Sequence, residues 1–506
     1  MDSLSELISL LNNKDIKEFI NYLKQNNKRN DVKNIQLLES LKTDDINNFK
    51  RIYHNKQNND AYHALRKRLH DSLLFFLSNK TFEDNSNEAN EALKLLVVGR
   101  FLYENNLEKV AYKCLLKAEV KAKKLEQFSL LNEIYATRLH YIHLNKKENF
   151  NELALKLQSN LEQINHEVKL NLAYAYLRRE LEKINNQGKI IDLKVLIQST
   201  MTHYKVSLNE IMTYKSLVQI LYIANEYASI HQDFRLIESY IKSSYEFLEN
   251  QKQNSEHHLY YHIQILYYLA NFSFRNLKFE QSFIYLNEME NLMEKQHKLY
   301  YSVFYPQHQL ILALNYHFTN QSIKAIEIIE NVLIHSIKKA SLSIVNDLQA
   351  TYIMFLGQKE QVSALKSLSK LMHTDNWYEK KIGILWTIRK NLMEILIHAQ
   401  FENIDFALNR IKSFKRRYRV YLENVNEERV LDYINLVEKY LNKPEILETD
   451  LFQEKLNQLF ATHDQDVFIL SYIGWLLSLK STKSPYEITL NLIKNKSELP
   501  RTYRSL

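Results

Sequence analysis

Apolar residues recur along most of the chain at spacings of three and four, with Asn, Lys and Gln clustered between them. That periodicity predicts amphipathic helices joined by short polar turns. No stretch alternates apolar and polar residues between hairpin signals, so strands are not expected. The first proline is Pro306, which leaves the preceding 305 residues free to form long helices. The clearest unit begins at Leu95-Leu96-Val97-Val98-Gly99-Arg100-Phe101-Leu102 and turns through Tyr103 to Asn106. It then continues through Ala111, Leu115 and Ala118. Small residues at Gly99 and Ala111 predict two helices that cross closely.

The unit returns around Leu312, Ala313 and Tyr316, with a turn at Thr319–Ser322 and a second helix carrying Ala325, Ile329 and Val332. A weaker copy holds Leu269, Ala270, Ser282, Leu286 and Met289. The arrangement resembles the tetratricopeptide type of helical hairpin. Gly99, Ala313, Tyr316, Ala111 and Ala325 match that family's small and aromatic positions. Leu102 and Ser273 replace its aromatic, and its terminal proline is missing. Aligning the close-packing position of the second helix gives Ala111, Leu153, Val195, Ile237, Ser282, Ala325, Ala364 and Ala407. The steps are 42, 42, 42, 45, 43, 39 and 43 residues, longer than the roughly 34 of the standard unit.

The expected fold is all-α, an α-solenoid of about eight antiparallel hairpins over residues 86–425, with helical caps at both ends. The N-terminal subdomain covers residues 1–80, with helices expected near 4–11, 15–26, 33–41, 44–55 and 60–78 and a polar break at 81–87. The C-terminal cap covers 426–506. Pro444 and Pro485 punctuate it, and its apolar helix Val467–Leu479, with Trp475, is expected to cover the last repeat.

Composition removes several classes of chemistry. Five glycines in 506 residues cannot supply the turns of a large α/β or all-β protein. No two glycines lie closer than 26 residues, so a phosphate-cradling loop, a dinucleotide fingerprint and a nucleophile elbow are all excluded. The single cysteine, Cys114, sits beside Tyr112, Leu115 and Leu116 and reads as a free thiol in the core. His258 and His262 have metal-ligand spacing but no third donor in sequence, so no metal and no cofactor are expected. No secretory signal is visible, and the run Val467–Leu479 is shorter than the ~20 residues of a membrane helix. A soluble, cytoplasmic protein with no membrane insertion is expected. The Asn-, Lys- and Ile-rich composition points to an AT-rich, bacterial genome.

The net charge is +8. Arg66-Lys67-Arg68 forms one basic cluster. Another runs from 409 to 419, where Ala407, Ile411, Phe414 and Tyr418 make the buried stripe and Arg410, Lys412, Arg416, Arg417 and Arg419 project outward. Such a face suits phosphates or an acidic segment. The family geometry implies a concave face lined by first-helix residues, here Arg100, Tyr103, Arg138, Gln264, Tyr267, Asn271, Arg275, His317, Asn346, Gln349 and Arg389. That set suits a protein or peptide partner. The expected function is a non-catalytic scaffold or adaptor. The alternative is a ligand- or peptide-responsive bacterial regulator that contacts nucleic acid through its basic N-terminal or 409–419 patches.

Overall fold

The computed structural model describes residues 3–9, 11, 13–26, 32–42, 59–83, 88–145, 147–187, 193–206, 213–231, 238–251, 256–337, 340–425, 427–461 and 466–498. Among the described residues every regular element is a helix and no strand is present. The chain divides into two compact units, Met1–Leu157 and Gln158–Leu506.

The first unit opens with α1 (Ser3–Ser9), α2 (Asn13–Asn26), α3 (Val32–Lys42) and α4 (Asn59–Glu83). These close on a core of Leu4, Phe19, Leu37, Leu69 and Leu73. Lys80, near the end of α4, ties back to Asp15 and Glu18 on α2. The helix expected over 44–55 lies outside the described residues. α4 continues to Glu83 through part of the expected polar break, because nothing in Lys80-Thr81-Phe82-Glu83 stops a helix.

α5 (Glu88–Glu104) and α6 (Glu108–Lys124) form the hairpin that the small residues predict. A Cβ at Gly99 would lie 2.8 Å from Leu115 Cδ2, so the crossing requires glycine or a shifted leucine. Ala111, Leu115 and Ala118 are fully buried. α7 (Phe128–His140) packs beside them, and Tyr141, just beyond it, stacks on Tyr103 at 4.2 Å.

α8 (Phe150–Gln187) corrects the expected regularity. The even spacing placed a turn between Leu153 and the following helix, but one 38-residue helix runs through it. Residues 150–187 contain neither Gly nor Pro, and Ala173, Leu177, Leu181 and Ile184 keep a helical apolar stripe. In α9 (Leu193–Tyr204) the close-packing position is not Val195, which is 57% exposed; Leu196 and Ile197 pack inward instead. Ile237 lies outside the described residues.

The second unit continues with α10 (Tyr214–His231), α11 (Glu238–Asn250), α12 (Leu259–Arg275), α13 (Phe279–Met293), α14 (Tyr301–Phe318), α15 (Ser322–His335), α16 (Leu342–Gln358), α17 (Ser363–Leu368), α18 (Asp375–Lys381), α19 (Ile384–Gln400) and α20 (Ile404–Asn424). Neighbouring helices pair as α12–α13, α14–α15, α16–α17 and α19–α20. Their second helices approach through Ser282, Ala325, Ala364 and Ala407, all fully buried. Ser282 Oγ donates to Ala270 O at 2.9 Å and accepts from Asn315 Nδ2 at 2.9 Å, tying α13 to the hairpin that follows.

The turns within these pairs share one geometry. Leu277, Asn320, Glu360 and Glu402 each have φ between 53° and 66°, at steps of 43, 40 and 42 residues, and Asn106 repeats it between α5 and α6. Each closes with two backbone bonds, as in Gln321 N to Tyr316 O at 2.8 Å and Asn320 N to His317 O at 3.3 Å. This is the left-handed helix stop normally filled by glycine. Here ordinary residues bear a local cost of about 1 kcal/mol, which explains how so helical a chain turns so often with five glycines.

α21 (Glu428–Asn442), α22 (Asp450–Ala461), α23 (Val467–Ser478) and α24 (Pro485–Glu498) complete the unit. α23 and α24 form a tight pair, in which a Cβ at Gly474 would lie 2.3 Å from Thr489 Oγ1. α23 packs on two cores at once. Val467 and Leu470 join residues from 214–355, while Trp475 and Leu476 join residues from 388–456.

Candidate functional site

The first helices of successive hairpins each turn one stripe toward α23. On α12 the stripe is Tyr267, Asn271 and Arg275, spaced by four and therefore on one face. On α16 it is Asp347, Thr351 and Met354, and on α19 it is Trp386, Arg389 and Met393. α23 answers with Phe468 and Tyr472. Together with Leu310 and Leu314 of α14, these residues line a cavity of about 450 Å³ within the second unit. Its walls are mainly apolar, with a few polar groups held in place, as a site for an organic ligand or a peptide side chain requires.

The polar groups are fixed by specific partners. Trp386 Nε1 donates to Asp347 Oδ1 at 2.8 Å. Burial raises the Asp347 carboxyl to about 6, against the opposing pull of Trp386 and Arg389. Burial also raises the Tyr267 phenol, with Asp347 adding to the shift. Asn271 Nδ2 donates to Asn225 Oδ1 of α10 at 3.0 Å.

Arg275 forms a buried ion pair with Asp466, and its guanidinium lies 4.8 Å from the centre of the Phe468 ring. Burial lowers the Arg275 pKa, and Asp466 opposes that shift. Asp466 also caps α23 by accepting from Phe468 N at 2.8 Å. Tyr472 OH donates to Arg389 O at 3.4 Å, and Tyr486 OH of α24 donates to His317 O at 2.7 Å.

Four of the eleven expected concave residues therefore meet at one cavity: Tyr267, Asn271, Arg275 and Arg389. Others lie elsewhere. His317 is fully buried, stacks on Phe355 at 3.9 Å and pairs through Nε2 with Gln358 Oε1 at 2.6 Å. Burial lowers its pKa to about 3. Asn346 is buried and donates to Leu342 O within its own helix. Gln264 and Gln349 are half-buried.

Arg100, Tyr103 and Arg138 belong to the first unit. There Arg100 bonds Thr137 and Glu133 of α7, and Arg138 is buried between Glu119 and Glu148. Sequence reasoning missed Asp347, Trp386, Asp466, Phe468 and Tyr472. The i, i+4 relation of Ser343, Asp347 and Thr351 was available for the first of these. No local pattern announces that α23 lies against α12.

The 409–419 patch is largely paired within the fold. Arg410 Nη2 reaches Glu394 Oε2 at 2.5 Å, Arg417 makes two bonds to Glu379 at 2.6 Å, and Arg419 bonds Glu423 at 2.7 Å. Lys412 and Arg416 remain exposed. In the other cluster Arg66 turns back to Tyr62 OH at 3.1 Å, while Lys67 and Arg68 are exposed.

Tyr214 stacks on His258 at 4.5 Å and lies 6.0 Å from His262. Among the described residues no group of three or more His, Cys, Asp or Glu is placed to hold a metal. Cys114 is a half-buried free thiol. No described helix is long and apolar enough to cross a membrane. No protein-family model, no curated protein and no solved structure matches this chain.

Proposed function

We propose that this protein is a non-catalytic scaffold or adaptor that binds a protein or peptide on the row formed by its first helices. The row would belong to a tetratricopeptide-like solenoid with a period near 42 residues. The repeating left-handed turn at Leu277, Asn320, Glu360 and Glu402 supports that architecture, because one backbone device recurs once per hairpin. The observation that carries the function is the convergence of Tyr267, Asn271, Asp347, Trp386 and Arg389, drawn from three separate hairpins, on one largely apolar cavity. A preformed surface with a few fixed aromatic and charged anchors suits recognition by dispersed hot spots.

Affinity capture from the native lysate, run in parallel with wild type and a Tyr267→Ala/Arg389→Ala variant, tests this reading. A set of partners retained by wild type and lost by a folded variant supports it. Identical partner sets from the two proteins contradict it.

A further inference from the structure

We propose that the α23–α24 hairpin is an internal occupant of the first-helix row. What the row takes in its place is a helical segment of another protein, opened by a carboxylate and followed by an aromatic residue. This deepens the scaffold reading and rests on it.

The occupant shows what the row recognises. Asp466 sits at the N-cap of α23 and delivers its carboxylate to Arg275, 191 positions away in the chain. Two residues on, the Phe468 ring lies 6.1 Å from Phe274 and 6.4 Å from Phe318, with the Arg275 guanidinium against it. One turn further, Tyr472 reaches the backbone of Arg389. Val467 and Leu470 supply the apolar face. The pattern is therefore carboxylate, apolar, aromatic, then an apolar residue two positions on and a hydroxyl-bearing aromatic one turn after the first aromatic. The row carries two arginines, Arg275 and Arg389, on the side that receives it, so an acidic helix start is the complementary charge.

The contact also leaves space unfilled. Protein cores fill their space with few voids larger than a water molecule. Here a cavity of about 450 Å³ remains, lined by the row, by α23 and by residues of the 421–459 segment. The contact joins a buried apolar face, Val467, Leu470, Trp475 and Leu476, with the charged and hydroxyl groups of Asp466, Tyr472 and Tyr486. Its polar fastenings include Arg275 with Asp466 at one end, Tyr472 with the carbonyl of Arg389 and Tyr433 with the carbonyl of Tyr472 between, and Tyr486 with the carbonyl of His317 at the other.

The test uses the full chain and a fluorescein-labelled synthetic peptide of residues 466–495. In wild type, hydrogen exchange at α23–α24 is expected to run faster than at α12 and α14. An opened variant, Asp466→Ala/Tyr486→Phe, is expected to bind the peptide roughly tenfold or more tightly than wild type. Asp466→Ala in the peptide should remove roughly tenfold of that gain.

Exchange at α23–α24 as slow as at α12 and α14 would overturn the proposal while leaving the scaffold reading standing. A folded, opened variant that takes up no peptide would sink both. A dimer formed by that variant in place of peptide binding would assign the row to a second copy of this chain and overturn the proposal. Should the variant fail to fold, the exchange rates of wild type decide.

Discussion

Arg275 of α12 and Asp466 at the start of α23 form an ion pair that buries both side chains and joins positions 191 apart in the chain. A buried pair contributes little when replaced whole, but removing one partner strands the other charge. Arg275→Met alone and Asp466→Leu alone should each lower stability by about 3–5 kcal/mol in urea unfolding. The double variant should recover most of that loss. Additive losses in the double variant would show that the two side chains do not meet.

Arg138 presents the same physics in the first unit. Its guanidinium is held between Glu119 and Glu148, all three side chains buried. Arg138→Met should cost about 3–5 kcal/mol in unfolding of that unit, because Glu148 is stranded and Glu119 keeps only its more exposed lysine partners, Lys123 and Lys156. Unchanged stability with impaired binding would instead make Arg138 a partner-binding residue.

The turns offer a change in the opposite direction. Glu402 is exposed and holds φ near 59° between α19 and α20. Glu402→Gly removes the Cβ strain of that conformation and should raise stability by about 1 kcal/mol. A fall in the urea midpoint would mean that the turn is not left-handed in solution.

His317 and Asp347 set opposing pH responses. The His317 pKa is depressed to about 3 in the fold against about 6.5 unfolded. As pH falls through 6.5 the unfolded chain gains a proton that the native chain refuses, so stability drops, by about 2 kcal/mol at pH 5. Asp347, raised to about 6, runs the other way: the native chain takes its proton first and regains about 1 kcal/mol over the same interval. Wild type should therefore lose stability between pH 7 and 5. His317→Gln should remove about 2 kcal/mol of destabilisation over that interval, and Asp347→Asn should add about 1 kcal/mol to it. Identical pH profiles for the three proteins would contradict both assignments.

The hairpins were readable in sequence wherever a small residue fixed a close crossing, as at Gly99, Ala111, Ala325 and Ala407. The continuity of α8 was not, because an apolar stripe without Gly or Pro is equally compatible with one long helix or two short ones. Val195 failed for a related reason: three adjacent apolar residues, Val195, Leu196 and Ile197, leave the inward face undetermined until neighbours choose it. Of the candidate site, Tyr267, Asn271 and Arg275 followed from spacing by four on one helix. Asp347 was passed over for Asn346 and Gln349, rotations of about 100° and 200° around the helix that only packing settles. The seat of α23 depends on contacts across nearly two hundred residues, which no local pattern encodes.

The C-terminal hairpin lies against the first-helix row. Lys359, after α16, places its Nζ 4.8 Å from the centre of the Tyr486 ring. The neighbouring Glu487 carboxyl is held below its usual range by Ser484 and by the charges of Lys359 and Lys483. Zero-length carbodiimide cross-linking of the full chain, read by peptide mass spectrometry, should yield a Glu487–Lys359 product. A Glu487–Lys483 product alone, with none to Lys359, would contradict the account.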